Sequence, residues 1–143
     1  MSSELVLESD YSKIKQQVVN VIDLHTIDNY PHLTLEDLKM TSLAYSVYHD
    51  GNWAGGITGE QKHTELFISS LAVKKEYRKY GYGEQLLKAM EEKAKENDMT
   101  VVTLSTLSYQ ALPFYERQGY KVFGKLEDLP REGVTRYYLY KRV

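Results

Sequence analysis

The feature that most constrains this chain is an apolar strand that runs into a basic glycine turn and leaves it as an amphipathic helix. Residues 64–73 carry Leu66, Phe67, Ile68, Leu71, Ala72 and Val73, the composition of a central strand covered on both faces. The turn from Lys74 to Gly83 contains Arg78-Lys79-Tyr80-Gly81-Tyr82-Gly83. Beyond it, Leu86, Leu87, Met90 and Ala94 mark one helical face, while Glu84, Lys88, Glu91, Glu92, Lys93 and Lys95 mark the other. The first amides of such a helix lack internal partners, and the positive end of its dipole faces the turn, which makes it a receptor for phosphate. Gly81 and Gly83 permit a close approach of an anion to the backbone. Two cations so near a helix start are each misplaced by about 0.3–1 kcal/mol unless an anion neutralises them. The alternative is a tight turn with solvated charges, and the turn alone leaves it open.

Two phosphate motifs are excluded. A P-loop needs Lys-Ser/Thr after its last glycine, where this chain has Glu84-Gln85, and a dinucleotide fingerprint needs a small residue at Leu86 inside a βαβ unit.

The rest of the pattern predicts one continuous α/β (α+β) domain over residues 1–143. A short apolar strand at Leu5-Val6-Leu7 precedes a helix from Ser12, with Ile14, Val18, Val21, Ile22 and His25 at helical spacing, ending before Pro31. A helical piece at 35–38 follows, then a hairpin from 43–48 and 53–58 joined by His49-Asp50-Gly51-Asn52. After the central strand and its helix come a buried strand at 101–104, a short helix begun by Pro113 and capped by Gly119, and strands at 121–124 and 136–141. The order β-α-α-β-β-β-α-β-α-β-β describes a mixed, mainly antiparallel sheet with helices on both faces.

A chain of 143 residues buries roughly two-thirds of its unfolded surface and supports one core. Its net charge of −2 argues against a nucleic-acid or anionic-membrane partner, so any anion must be held locally. The N-terminus carries no secretory signal and no run reaches membrane-span length, which points to a cytoplasmic protein. With no cysteine, no thiol can carry an acyl group. His25, His32, His49 and His63 show no pairing with a third ligand, so no metal is expected. Edge strands in so small a protein suggest a homodimer.

The turn Arg78-Lys79-Tyr80-Gly81-Tyr82-Gly83 resembles the Gln/Arg-x-x-Gly-x-Gly/Ala pyrophosphate loop of the GCN5-related N-acetyltransferase (GNAT) superfamily. Tyr109 to Tyr120 is similar to its later motif, Ala-x-x-Phe/Leu-Tyr-x-x-x-Gly-Phe/Tyr, through Ala111, Tyr115 and Gly119. The likeness covers roughly Trp53 to Val143. It implies a GNAT-like fold and an acetyl-coenzyme A site in a V-shaped gap between the central strand and the next. The amides of Gly81, Tyr82 and Gly83 would meet the pyrophosphate, Arg78, Lys79 and Tyr80 would complete the loop, and Leu71, Ala72 and Val73 would offer main chain to pantetheine. Ser108 and Ala111 join this set, Ser108 standing where the family often has Asn. Tyr115 matches the family tyrosine beside the thiol, which implies an acid that protonates the leaving group.

Two further departures bear on the acceptor. Phe67 occupies the place of a general-base Glu found in members that acetylate histone-like lysines, which weakens a protein-lysine reading. Gly133-Val134 precedes Thr135-Arg136-Tyr137 where a bacterial small-molecule branch has Gly-His. The expected reaction is acetyl transfer to a primary amine of a small molecule by direct attack in a ternary complex, the carbonyl polarised by a main-chain N–H near Leu71 or Ala72. Glu65, on the strand face shared with Phe67, Ser69 and Leu71, is the candidate base acting through water, with His63 and Glu60 less constrained. His25, Asn29, Tyr30, Trp53 and Tyr109 are candidates for the acceptor pocket. The alternatives are a non-catalytic acyl-coenzyme A sensor and acetylation of a protein or peptide amine.

Overall fold

The computed structural model describes residues 2–143, which divide into two compact units, residues up to Lys39 and residues from Met40 onward. The first unit contains helix α1 (Tyr11–Asn29), started by Asp10, whose carboxylate accepts from the Lys13 amide at 3.1 Å. A single 3₁₀ turn at Glu36–Leu38 follows. The expected strand at Leu5-Val6-Leu7 does not form: these residues have no sheet partner, and Leu5 and Leu7 are fully exposed. Three apolar residues cannot hold an extended conformation without a neighbouring ladder.

The second unit is a six-stranded sheet in the order β1-β2-β3-β4-β6-β5. Its strands are β1 (Thr41–His49), β2 (Asn52–Lys62), β3 (Glu65–Val73), β4 (Val101–Leu107), β5 (Lys121–Glu127) and β6 (Thr135–Arg142). All neighbours run antiparallel except β3 and β4. The β1–β2 turn has Asp50 at φ 49° and Gly51 at φ 81°, as a two-residue hairpin turn requires. A 3₁₀ segment (Lys75–Tyr80) leads to helix α2 (Tyr82–Glu96), and helix α3 (Leu112–Arg117) follows β4. Pro113 lies in the first turn of α3, and Gly119 just beyond it adopts φ 94°.

Helix α2 packs across β1, β2 and β3. Its Leu86, Leu87, Met90 and Ala94 meet Ile57, Leu66, Ile68, Val102, Leu104 and Leu139 in one core, with Tyr115 and Tyr120. Truncating a fully buried member such as Leu87 costs about 2–5 kcal/mol in cores of this kind. One acid enters the core: Glu91 accepts from Tyr120 Oη at 2.7 Å and pairs with Lys141 Nζ at 3.1 Å. Desolvation and then the bond to Glu91 push the Tyr120 phenol strongly up. No helix among the described residues is long and apolar enough to cross a membrane.

Two details of β3 differ from expectation. Leu66 and Ile68 are buried, whereas Phe67 is 40% exposed, so alternation rather than burial on both faces governs its first half. The second is a bulge. Thr58 pairs with Ser70 and Gly59 with Ile68, leaving Ser69 as an extra residue. The inward set therefore switches from Leu66 and Ile68 to Leu71 and Val73, which pack against the core. Glu65 and Leu71 consequently do not share a face.

Candidate active site

The parallel pairing of β3 and β4 stops early. Glu65, Leu66 and Phe67 pair with Val101, Val102 and Thr103, and beyond that point the two strands separate. A cleft of about 820 Å³ opens between Ile68–Val73 and Leu104–Leu107, and Tyr109, Gln110, Ala111 and Tyr115 close one side. The bulge at Ser69 lies at the mouth of this splay, where it re-aims β3 away from β4. Main-chain groups of Leu71 and Val73 thus face the cleft instead of a neighbouring strand, the Val73 carbonyl already accepting from Arg78, while the Ala72 backbone is turned to Gly56 in the β2 ladder.

At the far end of β3 the glycine turn completes the cleft. Gly81 adopts φ 73° and serves as the boundary between the 3₁₀ segment and α2. No side chain caps α2, so its first amides are left for a ligand. A Cβ at Gly81 would meet nothing within 4 Å, and at Gly83 the nearest atom would be Phe114 Cζ at 3.6 Å. The surface above the turn is therefore bare backbone, the cradle a pyrophosphate fits. Arg78 lines the cleft, and its Nε donates to the Val73 carbonyl at 3.1 Å, which ties the turn to the strand end. Lys79 and Tyr80 are exposed. Tyr82 points away from the cradle into an aromatic cluster: its hydroxyl lies 2.6 Å from His49 Nδ1, and the His49 ring stands 5.0 Å from Tyr77 and 4.5 Å from Tyr80. The β1–β2 turn thereby braces the glycine turn, a link no local sequence signal announces.

Tyr115 is 7% exposed, lines the cleft and packs edge-on against Phe114 and Tyr120. Burial pushes its phenol above the usual tyrosine range, so the proton stays on at neutral pH. Ala111 lines the cleft beside it. Ser108 does not: its hydroxyl accepts from the Thr135 amide at 3.1 Å, and its own amide donates to the Thr135 carbonyl at 2.8 Å, pinning the start of β6.

Glu65 lies at the closed, paired end of β3, where its carboxylate accepts from Thr103 Oγ1 at 2.5 Å, and it is not among the cleft residues. Tyr109 is on the cleft wall and 70% exposed. Trp53 donates through Nε1 to Ser46 Oγ at 3.0 Å, with Lys74 Nζ 5.8 Å over its ring, and does not line the cleft. His25, Asn29 and Tyr30 belong to the first unit; Asn29 Nδ2 donates to the His25 carbonyl at 3.0 Å, and Tyr30 meets His32 edge-on at 6.3 Å. The cleft adds residues that sequence reasoning gave no role: Ser69 and Ser70, both bonded to Thr58 Oγ1, together with Thr106 and Arg136. The bulge that turns two consecutive serines to one face has no local signature in the sequence.

Known proteins share this arrangement. The family model described as Acetyltransferase (GNAT) family matches residues 8–120. A blasticidin-S acetyltransferase from Streptomyces morookaense is 30% identical over 100 residues, 69% of this chain and 73% of that protein. The crystal structure of an acetyltransferase from Bacillus cereus ATCC 14579 superposes with a TM-score of 0.80 at 31% identity, over 100% of this chain and 98% of the other. A structure from Bacillus anthracis str. Ames, solved in complex with acetyl coenzyme A, shares the fold with a TM-score of 0.66 at 23% identity, over 80% of this chain and 70% of that one. With the splayed parallel pair, the uncapped glycine turn and Tyr115 in place, the chain belongs to the GNAT acetyltransferase family and is an enzyme that uses acetyl-coenzyme A for N-acetylation.

Proposed function

We propose that this enzyme acetylates the primary amine of a small molecule by direct attack in a ternary complex. The observation that carries the reading is the splay of β3 from β4 beyond Phe67 and Thr103, which leaves main-chain groups of Leu71 and Val73 facing a cleft that Tyr115 closes. The Gly81, Tyr82 and Gly83 amides hold the pyrophosphate, with Arg78 adding charge and Lys79 and Tyr80 flanking. Bound there, acetyl-coenzyme A supplies an activated thioester. The Leu71 amide polarises its carbonyl, the Ala72 amide being turned to Gly56 in the β2 ladder, and Tyr115 Oη gives its proton to the departing thiolate. Orientation of this kind is worth roughly 7–11 kcal/mol of barrier.

The cleft lining includes no Asp, Glu or His. The ammonium proton therefore leaves to solvent, and Glu65, engaged by Thr103 outside the cleft, acts on it only through intervening water. Similarity to an acetyltransferase of blasticidin-S supports a small acceptor over a protein lysine, as does Phe67 at the position of a strand base. Tyr109, on the cleft wall, remains the acceptor candidate. The enzyme works in the cytoplasm as a homodimer, a reading that its edge strands β1 and β5 support and that light scattering over a concentration series tests.

The test of function is thiol release from acetyl-coenzyme A with a panel of polyamines, amino acids and aminoglycosides. Amine-dependent release is expected from at least one class. Cofactor binding with no release from any amine would make the protein an acyl-coenzyme A sensor.

A further inference from the structure

Arg136 sits in the cleft without a counter-ion. It belongs to β6, opposite Leu107 on β4, and its Nη1 donates to Ser105 Oγ at 3.0 Å. Among the described residues no carboxylate lies within ion-pairing distance of it, and the cleft contains no acid at all. A half-buried guanidinium with one of its five donors used is costly to keep unless an anion takes the remaining fork.

Its place in the sheet says which anion. Ser105 lies two residues past Thr103, the last β4 residue paired with β3, and Ser69 lies two residues past Phe67, the matching point on β3. Arg136, held by Ser105, therefore stands level with the bulge. Leu104 and Thr106 are buried, so Ser105 faces away from the α2 core, as do Ser69 and Ser70. This is the side of the cleft opposite the core-packed Tyr115. The strand end beside the glycine turn, Val73, is four residues beyond Ser69, about 13 Å at strand rise. The Arg136 backbone lies opposite Leu107, but its guanidinium turns back to Ser105, away from a phosphate seated on Gly81 to Gly83, and Arg78 already serves that end.

We infer that Arg136 is a specificity-determining residue that pairs with a carboxylate on the acceptor, so that the substrate is an amine that also bears a carboxylate, as an amino acid or short peptide does, and not a polycationic amine. Ser105 positions the guanidinium, and the hydroxyls of Ser69 and Ser70 face the acceptor from the other strand. The inference rests on the small-amine reading above.

The experiment uses matched acceptors, amino acids and dipeptides against their C-terminal amides, with the full-length enzyme. The carboxylates are expected to show kcat/KM about tenfold or more above the amides, the range for a hydrogen-bonded charge pair. Arg136→Met should erase that preference, Arg136→Lys should retain part of it, and both should bind coenzyme A as wild type does in calorimetry. Equal rates for acid and amide, or a preference that survives in Arg136→Met, would overturn the assignment while leaving the acetyltransferase reading intact. A collapse of coenzyme A affinity in both variants would place Arg136 on the cofactor instead and equally overturn it. No release from any acceptor would count against the amine reading; the assignment is then decided by ligand-observed NMR on the coenzyme A complex. N-acetylglycine should bind wild type but not Arg136→Met, and N-acetylglycinamide neither. Equal binding of the two ligands, or of N-acetylglycine to both proteins, would refute the carboxylate site.

Discussion

Gly81 offers the sharpest test of how the cofactor is held. Its φ of 73° and ψ of 20° lie in the left-handed region, and an added Cβ would meet nothing within 4 Å. The whole cost of Gly81→Ala therefore comes from its own backbone, about 1–2 kcal/mol for an L-residue in that conformation. The turn is exposed and its 3₁₀ segment contributes no buried residue, so beyond the ring contacts of Tyr77, Tyr80 and Tyr82 with His49 little packing opposes relaxation to negative φ in the free protein. Relaxation swings the following amides out of register, and binding must restore them. Coenzyme A affinity should fall by the same 1–2 kcal/mol, about 5- to 30-fold, while the core and the circular dichroism spectrum are unchanged. Gly81→Asn, which tolerates the left-handed region, should recover most of that loss. Isothermal titration calorimetry of the three proteins reads the result directly. A folded Gly81→Ala protein that binds coenzyme A within twofold of wild type would refute the dependence of the anion site on this backbone angle.

The remaining predictions concern three other parts of the site and core. Tyr115→Phe keeps the ring and removes the proton, so kcat should drop by about 10²-fold or more with little change in coenzyme A affinity; a rate within threefold of wild type would reduce Tyr115 to packing. Because burial raises the Tyr115 phenol above the usual tyrosine range, the wild-type pH–rate profile should rise as the acceptor amine deprotonates, with any falling limb from this phenol later than that of an ordinary tyrosine. His49→Phe and Tyr82→Phe each cut the 2.6 Å brace behind the glycine turn, and should raise KM for acetyl-coenzyme A by about 3- to 10-fold while leaving kcat at saturation intact, as steady-state kinetics will show. Glu91→Ala strands Lys141 and Tyr120 beside the core and should cost about 3–5 kcal/mol in urea unfolding, more than Tyr120→Phe, which removes one hydrogen bond at about 1–2 kcal/mol.

What the sequence made legible was set by short-range periodicity, and what it hid was set by register. The helix from Tyr82 to Glu96 announces itself because its apolar residues recur every three or four positions, and the glycine turn before it is a local motif whose neighbours in the chain are also its neighbours in space. The hairpin, the strand begun at 101–104, which the structure extends to Leu107, and the Pro113 helix are legible from equally local signals. Leu5 to Leu7 looked like a strand on composition, but a strand exists only where another supplies its ladder, and that is not a local property. The placement of Glu65 shows the limit most clearly. Strict alternation from Glu65 sets it on one face with Leu71; a single extra residue at Ser69 breaks the parity, sends Leu71 inward and turns Ser69 and Ser70 together toward Thr58. Nothing in Ile68-Ser69-Ser70-Leu71 distinguishes a bulge from a regular strand, because the extra residue is defined only against Thr58 and Gly59 across the ladder. Arg136 is hidden likewise. In the chain it is one basic residue between Thr135 and Tyr137, and only the pairing of β6 with β4 carries it beside Ser105 at the level where β3 departs. The glycine-turn end of the cleft is therefore built from contiguous sequence, while the end around Arg136 is assembled from β2, β3, β4 and β6, and that asymmetry is why the sequence names the donor of the acetyl group but not its acceptor.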